Sequence, residues 1–504
     1  MPRRICVPSL KRCCLVNVVK NMDDVWCKES AEMFAENQQW LYVLGPFEHL
    51  TSDTIQEIID VLIEKKTIKR IHLQLLLQTR IQKLRVDVQT GGLQTCIVQL
   101  VGWRCRKLTK LDISSCRLVP AKSLAEMVSG IPDIVSLNLN NTQSNDQVLC
   151  RIAVHCRRLR ELNVAYCNIK DAGALSLCGG STPDTVDTGC PELITLDFEG
   201  TNISQKAQII ILSSLHHLHN IKAPSLFQAI QELGCSDTRD LSKLRSLDVE
   251  ATDEDIAAIH LLCPGLAKLY LTCLRVNNLE VIAELSHLQS LTLLDENQSL
   301  SFTKVVYPVL KLAGARLKSL ILLDVFPVSI SFIGSVCPHL GHFGYCLYRR
   351  RDASSLDYQV ANLNMDAHVG QKYFQHLMTL EVSLIGRSVG LDGMPGPEYL
   401  TRIDVNCLLS HCLGLRDINF RKVQAFSDEV FSEVFTTNRF LTTKQFALDK
   451  CHEISDLSIR CLVEQESDLE VLKLWKCKKV FRAHFMNYED YAQRNHLNLR
   501  VQWT

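Results

Sequence analysis

The sequence predicts an α/β solenoid, a horseshoe with short parallel strands on its concave face and helices on its convex face. Three observations predict it. A phrase Leu-x-x-Leu-x-Leu, with aliphatic or aromatic stand-ins, returns every twenty-odd residues. A stretch with the apolar spacing of a helix follows many of the copies. The chain has 504 residues, long for a single core, whereas stacked units grow without that limit.

The first ninety or so residues lack the phrase, and three helical patterns fit there. The first runs from Ser9 to about Asn21, with Ser9 as N-cap after Pro8 and Leu10, Cys14 and Val18 recurring at every fourth position. The second spans about Asp24 to Tyr42, with Trp26, Met33, Phe34, Trp40 and Leu41 as apolar contacts. The third starts at Thr51 or Ser52 and runs through Ile55, Ile58, Ile59, Leu62 and Ile63. Leu44-Gly45-Pro46-Phe47 separates the last two, and Gly-Pro is a strong breaker. From Ile68 the pattern turns repetitive, and Ile71-His72-Leu73 and Leu84-Arg85-Val86 read as degenerate first strands.

Regular copies begin at Leu108 (L-T-K-L-D-I), Ile134 (I-V-S-L-N-L), Leu159 (L-R-E-L-N-V), Leu193 (L-I-T-L-D-F), Leu244 (L-R-S-L-D-V) and Leu266 (L-A-K-L-Y-L). They continue at Leu288, Leu317, Leu377, Leu415 and Leu469. In each, the apolar positions face inward as a strand, and the chain returns by a helix such as Ala121–Ser129, Asp253–Leu262 or Asp428–Phe435. This is the pattern of leucine-rich repeats. It divides the chain into a helical segment and cap at 1–66 and a repeat domain at 67–504. Insertions interrupt the repeats at 178–191, at 341–376, where no clear phrase is found, and at the Gly- and Pro-rich 384–397.

Composition sets limits on function. Acidic and basic residues balance at 55 each, so the basic excess of a nucleic-acid binder is missing. No apolar run reaches the ~18 residues of a membrane span, and Lys11, Arg12, Asn17 and Lys20 interrupt the N-terminal stretch as no secretory signal would allow. The reading is a cytoplasmic or nuclear protein in which the sequons at Asn140, Asn202 and Asn297 stay unmodified. The 22 cysteines include no Cys-x-x-Cys pair. Several stand singly beside the repeats, at Cys116, Cys156, Cys167, Cys263, Cys337, Cys451 and Cys477. A small, readily buried residue fits the tight turn after a repeat strand, so these read as reduced packing cysteines. Neither a metal nor a cofactor is expected, because the spacing fits no zinc pattern.

Residues 9–18 read S-L-K-R-C-C-L-V-N-V. This resembles the BC box, by which substrate receptors bind the elongin B–elongin C pair. Ser9, Leu10, Cys14 and Val18 fill its four defined positions. Leu, Cys and Val on successive turns make a narrow stripe suited to a groove on a partner. Downstream, L-G-P-F-E-H-L and the helix after it resemble a cullin box, and Pro46, Phe47 and Leu50 are the positions carried over. Here Leu-Gly-Pro replaces the Leu-Pro of that element, and the spacing from the BC box is long. The tyrosine-bearing form associated with cullin-5 is absent, which points to cullin-2. The arrangement resembles the PRAME-type and zyg-eleven-type receptors of cullin-2 ubiquitin ligases. That resemblance implies a non-catalytic ligase subunit that binds elongin C, elongin B and cullin-2 and holds a protein substrate. Two other readings stay open. Residues 44–63 also resemble a degraded F-box, which would recruit a Skp adaptor with cullin-1, and C-H-E-I-S-D-L-S-I from Cys451 resembles the repeats of F-box proteins. Alternatively, Leu10, Cys14 and Val18 cap the first repeat, and the chain is an interaction scaffold outside any ligase.

Strand side chains alternate, so the residues between the inward-facing ones line the concave face. Asp197, Glu199, Asp248 and Glu250 form an acidic stretch there, and Tyr270, Leu294, Ile321 and Leu323 an apolar one. Together they suit a substrate segment with basic residues beside a hydrophobic anchor, unless the 341–376 insertion folds over them. Later copies contribute Glu381, Asp417, Asn419, Arg421, Lys473 and Trp475. No phosphate-binding, nucleophile-elbow or zinc-protease motif occurs, so no catalysis is expected. Cys451-His452 are merely neighbours in sequence. Tyr348-Arg349-Arg350-Arg351 reads as a solvated loop.

Overall fold

The computed structural model describes residues 10–28, 46–86, 91–114, 116–179, 188–236, 241–297, 300–348, 351–352, 372–385, 388–389 and 399–504. The chain divides into two compact units, Pro8–Leu247 and Asp248–Thr504. The helical segment therefore shares a unit with the early repeats.

The first unit opens with α1 (Leu10–Asn21), which runs on without a break into a π-helical turn at Met22–Cys27. The second helix expected from Asp24 is thus, up to Lys28, a continuation of the first, and the rest of it lies outside the described residues. A 3-10 turn at Pro46–His49 leads to α2 (Ser52–Glu64). The Thr51 hydroxyl caps α2 by accepting from the Thr54 N–H, and Ile55, Ile58, Ile59, Val61 and Leu62 form its buried face. Next comes α3 (Arg70–Leu76), where a strand was expected over Ile71-His72-Leu73. Ile71, Leu73 and Leu75 alternate with His72 and Gln74 as a half-buried strand would, but His72 and Gln74 are buried as well and the segment closes as a helix.

Strands and helices then alternate. The strands are β1 (Lys83–Arg85), β2 (Lys110–Asp112), β3 (Ser136–Asn138), β4 (Glu161–Asn163), β5 (Thr195–Asp197), β6 (Asn220–Lys222) and β7 (Ser246–Ala251), of which Ser246 and Leu247 belong to this unit and the rest to the second. The helices between them are α4 (Gly91–Arg104), α5 (Ala121–Ser129), α6 (Asp146–His155), α7 (Asp171–Ser176), α8 (Gln205–Ser214) and α9 (Leu226–Ser236). The strands pair in parallel in chain order, with Leu111, Leu137, Leu162, Leu196 and Ile221 in register. These residues are buried, and each full burial of such a side chain stabilises the fold by roughly 1.5–3 kcal/mol.

The second unit repeats the plan with β8 (Lys268–Cys273), β9 (Ser290–Leu294), β10 (Ser319–Leu323), β11 (His342–Leu347), β12 (Arg351–Asp352), β13 (Thr379–Leu384), β14 (Ser388–Val389), β15 (Asp417–Arg421), β16 (Gln445–Asp449), β17 (Val471–Trp475) and β18 (Arg500–Trp503). Its helices are α10 (Asp253–Leu262), α11 (Tyr307–Ala313), α12 (Ile330–Val336), α13 (Arg402–Leu409), α14 (Asp428–Thr437), α15 (Asp456–Glu464) and α16 (Arg482–Arg494). From Leu269 through Leu291, Leu320, Phe343, Leu380, Ile418, Phe446 and Leu472 to Val501, one buried residue per strand stays in register. The short β12 and β14 pair separately.

All eleven copies of the phrase form strands. The insertion expected at 341–376 is narrower than that span, because β11 lies within it, and Leu340, Phe343 and Tyr345 take the inward positions of that repeat. Aromatic rings there hid the phrase. Likewise β16 has Thr443 at the first inward position, where its hydroxyl donates to the Leu415 carbonyl at 3.0 Å and so can be buried.

Three recurring sets of hydrogen bonds shape the repeats, and the second and third join consecutive ones. At the strand ends, Asp112, Asn138, Asn163 and Asp197 lie in register, and each side chain accepts from the N–H two residues on. Two residues past the last inward position, one residue turns left-handed: Asn141, Tyr166 and Gly200 in the first unit, and Asp324, Lys422, Lys450 and Lys476 in the second. The N–H groups of Asn141, Tyr166, Asp324, Lys422, Lys450 and Lys476 donate to a carbonyl of the following repeat, extending the sheet beyond the strands. At the helix starts, the Asp146, Asp171, Asp253 and Asp428 carboxylates accept from backbone N–H groups of the next repeat at 2.7–3.1 Å.

Candidate functional site

Helix α1 has two faces. Leu15 and Val19 are buried, and with them Met22 in the π turn, against the layer that holds α2. Lys11 pairs with Glu57 at 2.7 Å and Arg12 with Glu64 at 2.8 Å, so both flanks are tied to α2. The other face carries the predicted stripe. Leu10 is 81% exposed, Cys14 is exposed and Val18 is half-buried. Ser9 lies outside the described residues. The capping alternative fails for Leu10 and Cys14, since the residues that pack inward are the next ones round the helix.

The cullin-box positions behave differently. Phe47 is 4% exposed and meets Trp26 edge-on, with ring centroids 5.3 Å apart. It belongs to the chain's own core rather than to a docking surface, which corrects the expectation. Leu50 is half-buried, and Pro46 opens the 3-10 turn. The F-box reading needs an available apolar face on α2, and that face is buried.

A cluster with no sequence signal joins the π turn to α3. The Asp23 carboxylate takes the Lys69 ammonium at 2.6 Å and His72 Nε2 at 2.8 Å, and the Cys27 thiol lies beside them. Hydrogen bonds from Lys69 and then from His72 hold the Asp23 carboxyl below its ordinary range. Burial, with Asp23 nearby, pushes the Cys27 thiol up to about 11. The ligand atoms of Asp23, Cys27 and His72 lie within 4.8 Å of one another. The proton positions oppose a metal, however. His72 Nδ1 accepts from the Lys69 N–H at 3.2 Å, so Nε2 carries the proton and donates it to Asp23. A metal on Nε2 would displace that proton and compete with an ammonium for the same carboxylate. The thiol is raised rather than activated, and His72 is 1% exposed, so the cluster is a structural latch.

The strand-face residues divide between the units. In the first, Asp197 is half-buried and works in the strand-end ladder. It accepts from the Glu199 N–H at 3.0 Å and from Asn163 Nδ2 at 3.3 Å, and burial raises its pKa. It is a strand terminator, which corrects its reading as a substrate contact. Glu199 is exposed, accepts from the Tyr166 hydroxyl at 2.6 Å and lies 3.9 Å from Lys222. In the second, Asp248 and Glu250 are exposed, and Asp248 lies close enough to Tyr270 to raise its phenol pKa after burial. Tyr270, Leu294, Ile321 and Leu323 are each half-buried, less open than expected, with Ile321 lying against Gly344. Residues 353–371 and 390–398 lie outside the described residues, and with them the question of what the insertions cover.

The cysteines take two positions, not one. Cys167, Cys451 and Cys477 follow strands and donate to carbonyls of the preceding repeat at 3.1–3.6 Å. Cys105, Cys156, Cys190, Cys263, Cys337 and Cys412 instead stand three residues before the phrase, all buried. The Cys451 thiol is pushed up to about 12, chiefly by burial, which removes it as a nucleophile beside His452.

A family model described as Leucine Rich repeat matches residues 155–178, which hold β4 and α7. Among solved structures, the chain is similar to the Rad7 and Elc1 complex of yeast, at 13% identity, covering 98% of each chain with a TM-score of 0.38. It is also similar to an internalin, InlF, from Listeria monocytogenes, at 12% identity, 91% and 97% coverage and a TM-score of 0.33. The leucine-rich repeat-containing protein LegL7 from Legionella pneumophila matches at 16% identity over 52% of this chain and 90% of its own, with a TM-score of 0.32. At these scores none of the three bears on partners or activity. The parallel strands in chain order, the alternating helices and the repeat match together establish a leucine-rich-repeat fold.

Proposed function

We propose that this chain is the non-catalytic substrate-recognition subunit of a cullin-RING ubiquitin ligase. In this reading α1 docks elongin C, elongin B and cullin-2 follow, and the repeats hold a protein substrate in the cytosol or nucleus. One observation carries it. Leu10 and Cys14 stay exposed while the adjoining face of the same helix, at Leu15 and Val19, is buried and Lys11 and Arg12 are salt-bridged to α2. A rigid helix presenting an apolar stripe is the helix-in-groove mode of recognition. Burial of the α2 apolar face favours elongin over a Skp adaptor. The substrate would meet the exposed Glu199, Asp248 and Glu250 and the half-buried Tyr270, Leu294, Ile321 and Leu323. The subunit would act by proximity, raising the local concentration of substrate at the transfer enzyme.

The test is affinity purification of the full chain beside a Leu10→Asp/Cys14→Asp variant. Elongins B and C should co-purify with the wild type and be lost from the variant, with its melting temperature unchanged. Recovery of a Skp adaptor instead, or of neither adaptor, would overturn the proposal.

A further inference from the structure

The left-handed position after a strand is filled by Asn141, Tyr166, Gly200, Ser225 and Asp324, but by lysine at three successive places, Lys422, Lys450 and Lys476. Their φ angles are 56°, 56° and 52°. Glycine or asparagine adopts this conformation at less cost, so the geometry alone does not select lysine. A strained choice repeated three times points toward something the side chain does.

The surroundings are strongly basic in a chain whose charges balance. Segments 420–424, 447–453 and 471–479 hold nine acidic or basic residues, of which seven are Lys or Arg. Three of the seven are engaged. Arg421 pairs with Asp449 at 2.7 Å, Lys479 pairs with Glu453 at 2.8 Å, and the Lys422 ammonium donates to the Ile385 carbonyl at 3.0 Å. Lys450, Lys473, Lys476 and Lys478 have no ion-pair partner among the described residues. The Lys473 ammonium sits 5.6 Å from the centre of the Trp475 ring on the same strand. His452 registers the local field, since burial and then Lys478 and Lys450 work against its protonation while Glu453 favours it. Successive strands lie about 4.8 Å apart, so equivalent lysines recur at a spacing that neighbouring carboxylates on one peptide can meet.

We propose that the strand-end edge of β16 and β17 is a docking surface for an acidic protein segment, held by Lys450, Lys473, Lys476 and Lys478 with Trp475 as its flat apolar contact. The surface differs in sign from the acidic Asp248 and Glu250, and it stands whether or not the chain serves a ligase.

The probe is a fluorescein-labelled peptide of Glu and Asp with one central Leu, read by anisotropy against the full chain. The control peptide carries Gln and Asn instead. The acidic peptide should bind about tenfold or more tightly than the control at low salt, and lose most of that advantage by about 0.5 M salt, where charge interactions are screened. Lys450→Asn/Lys476→Asn keeps residues suited to the left-handed turn, and should weaken binding by about fivefold or more with an unchanged melting temperature. Lys122→Asn/Lys170→Asn, in the first unit, should leave binding as it was. Equal binding of the two peptides, no binding of the acidic one, or full affinity in Lys450→Asn/Lys476→Asn would overturn the proposal. So would tighter binding of a single-stranded RNA of matched length, which would assign the surface to nucleic acid.

Discussion

Asp197 shows how one side chain can look like a contact and be a fastener. Sequence alternation points it toward a ligand, and its charge makes that attractive. In the fold it ends β5, as Asp112, Asn138 and Asn163 end the strands before it. The oxygen that accepts the N–H two residues on is common to all four and is kept by Asn, which gives up only the long 3.3 Å bond that the second Asp197 oxygen accepts from Asn163 Nδ2. Burial raises the Asp197 pKa, which means the charge is an unfavourable feature of the folded state at neutral pH. Asp197→Asn should therefore be neutral or slightly stabilising, whereas Asp197→Ala loses the turn bond and should cost about 0.5–1.5 kcal/mol. Thermal melts of the two variants beside the wild type check this, and equal destabilisation by both would contradict it. The ladder was legible in the phrase itself, where L-D-I, L-N-L, L-N-V and L-D-F all carry Asp or Asn at one place. Its purpose was not, because a spacing rule says which way a residue points and nothing about which backbone group waits there.

Elements that obey a strict period were read correctly, and those that do not were misread for definable reasons. α2, α5, α10 and the eleven phrase strands follow their expected positions. α3 and β11 do not: the first shows a strand's alternation over residues 71–75 yet folds as a helix that buries His72 and Gln74, and the second uses Phe343 and Tyr345 where leucine is expected. For α1 the stripe was legible, but which face would be sealed was decided by α2, a long-range partner. The latch from the π turn to α3 was invisible for the same reason, since Asp23 and His72 are far apart in sequence. Its acid response follows from the Asp23 shift. The folded carboxyl sits below the unfolded value of about 3.9, so its contribution is complete above that pH and is lost as pH falls through the folded value. Both Asp23 and Lys69 are about half exposed, so solvent screening keeps the effect small. Hydrogen exchange over residues 10–28 should accelerate below about pH 4 relative to the helices of the second unit. Asp23→Asn should show the faster exchange already at neutral pH and little further change on acidification. Identical profiles for wild type and variant would remove the latch.

At the scale of the molecule, the large number of cysteines and the repeat architecture are one fact seen twice. Repeats need a small apolar residue wherever helix, turn and strand converge, and they need it once or twice per unit. Among the described residues, fourteen of twenty thiols are buried and all are free. Burial pushes Cys346 and Cys407 up to about 11 and Cys105, Cys190, Cys263, Cys273 and Cys337 up to about 12. A thiol raised in the fold contributes stability that is complete below its unfolded pKa, about 8.5, and is lost as pH climbs toward the folded value. Many such groups act together, so the melting temperature should decline steadily from about pH 8.5 upward even in reducing buffer. Accessibility makes the same claim by a second route. A maleimide at neutral pH should modify Cys13, Cys14, Cys150 and Cys461 quickly and Cys178 and Cys407 slowly, leaving the buried thiols for denaturant to release. Peptide mapping of the labelled sites tells packing thiols from reactive ones. Fast native labelling at Cys156, Cys263 or Cys451 would show that the repeat junctions open, and the tightly stacked core argued from the strand register would have to be abandoned.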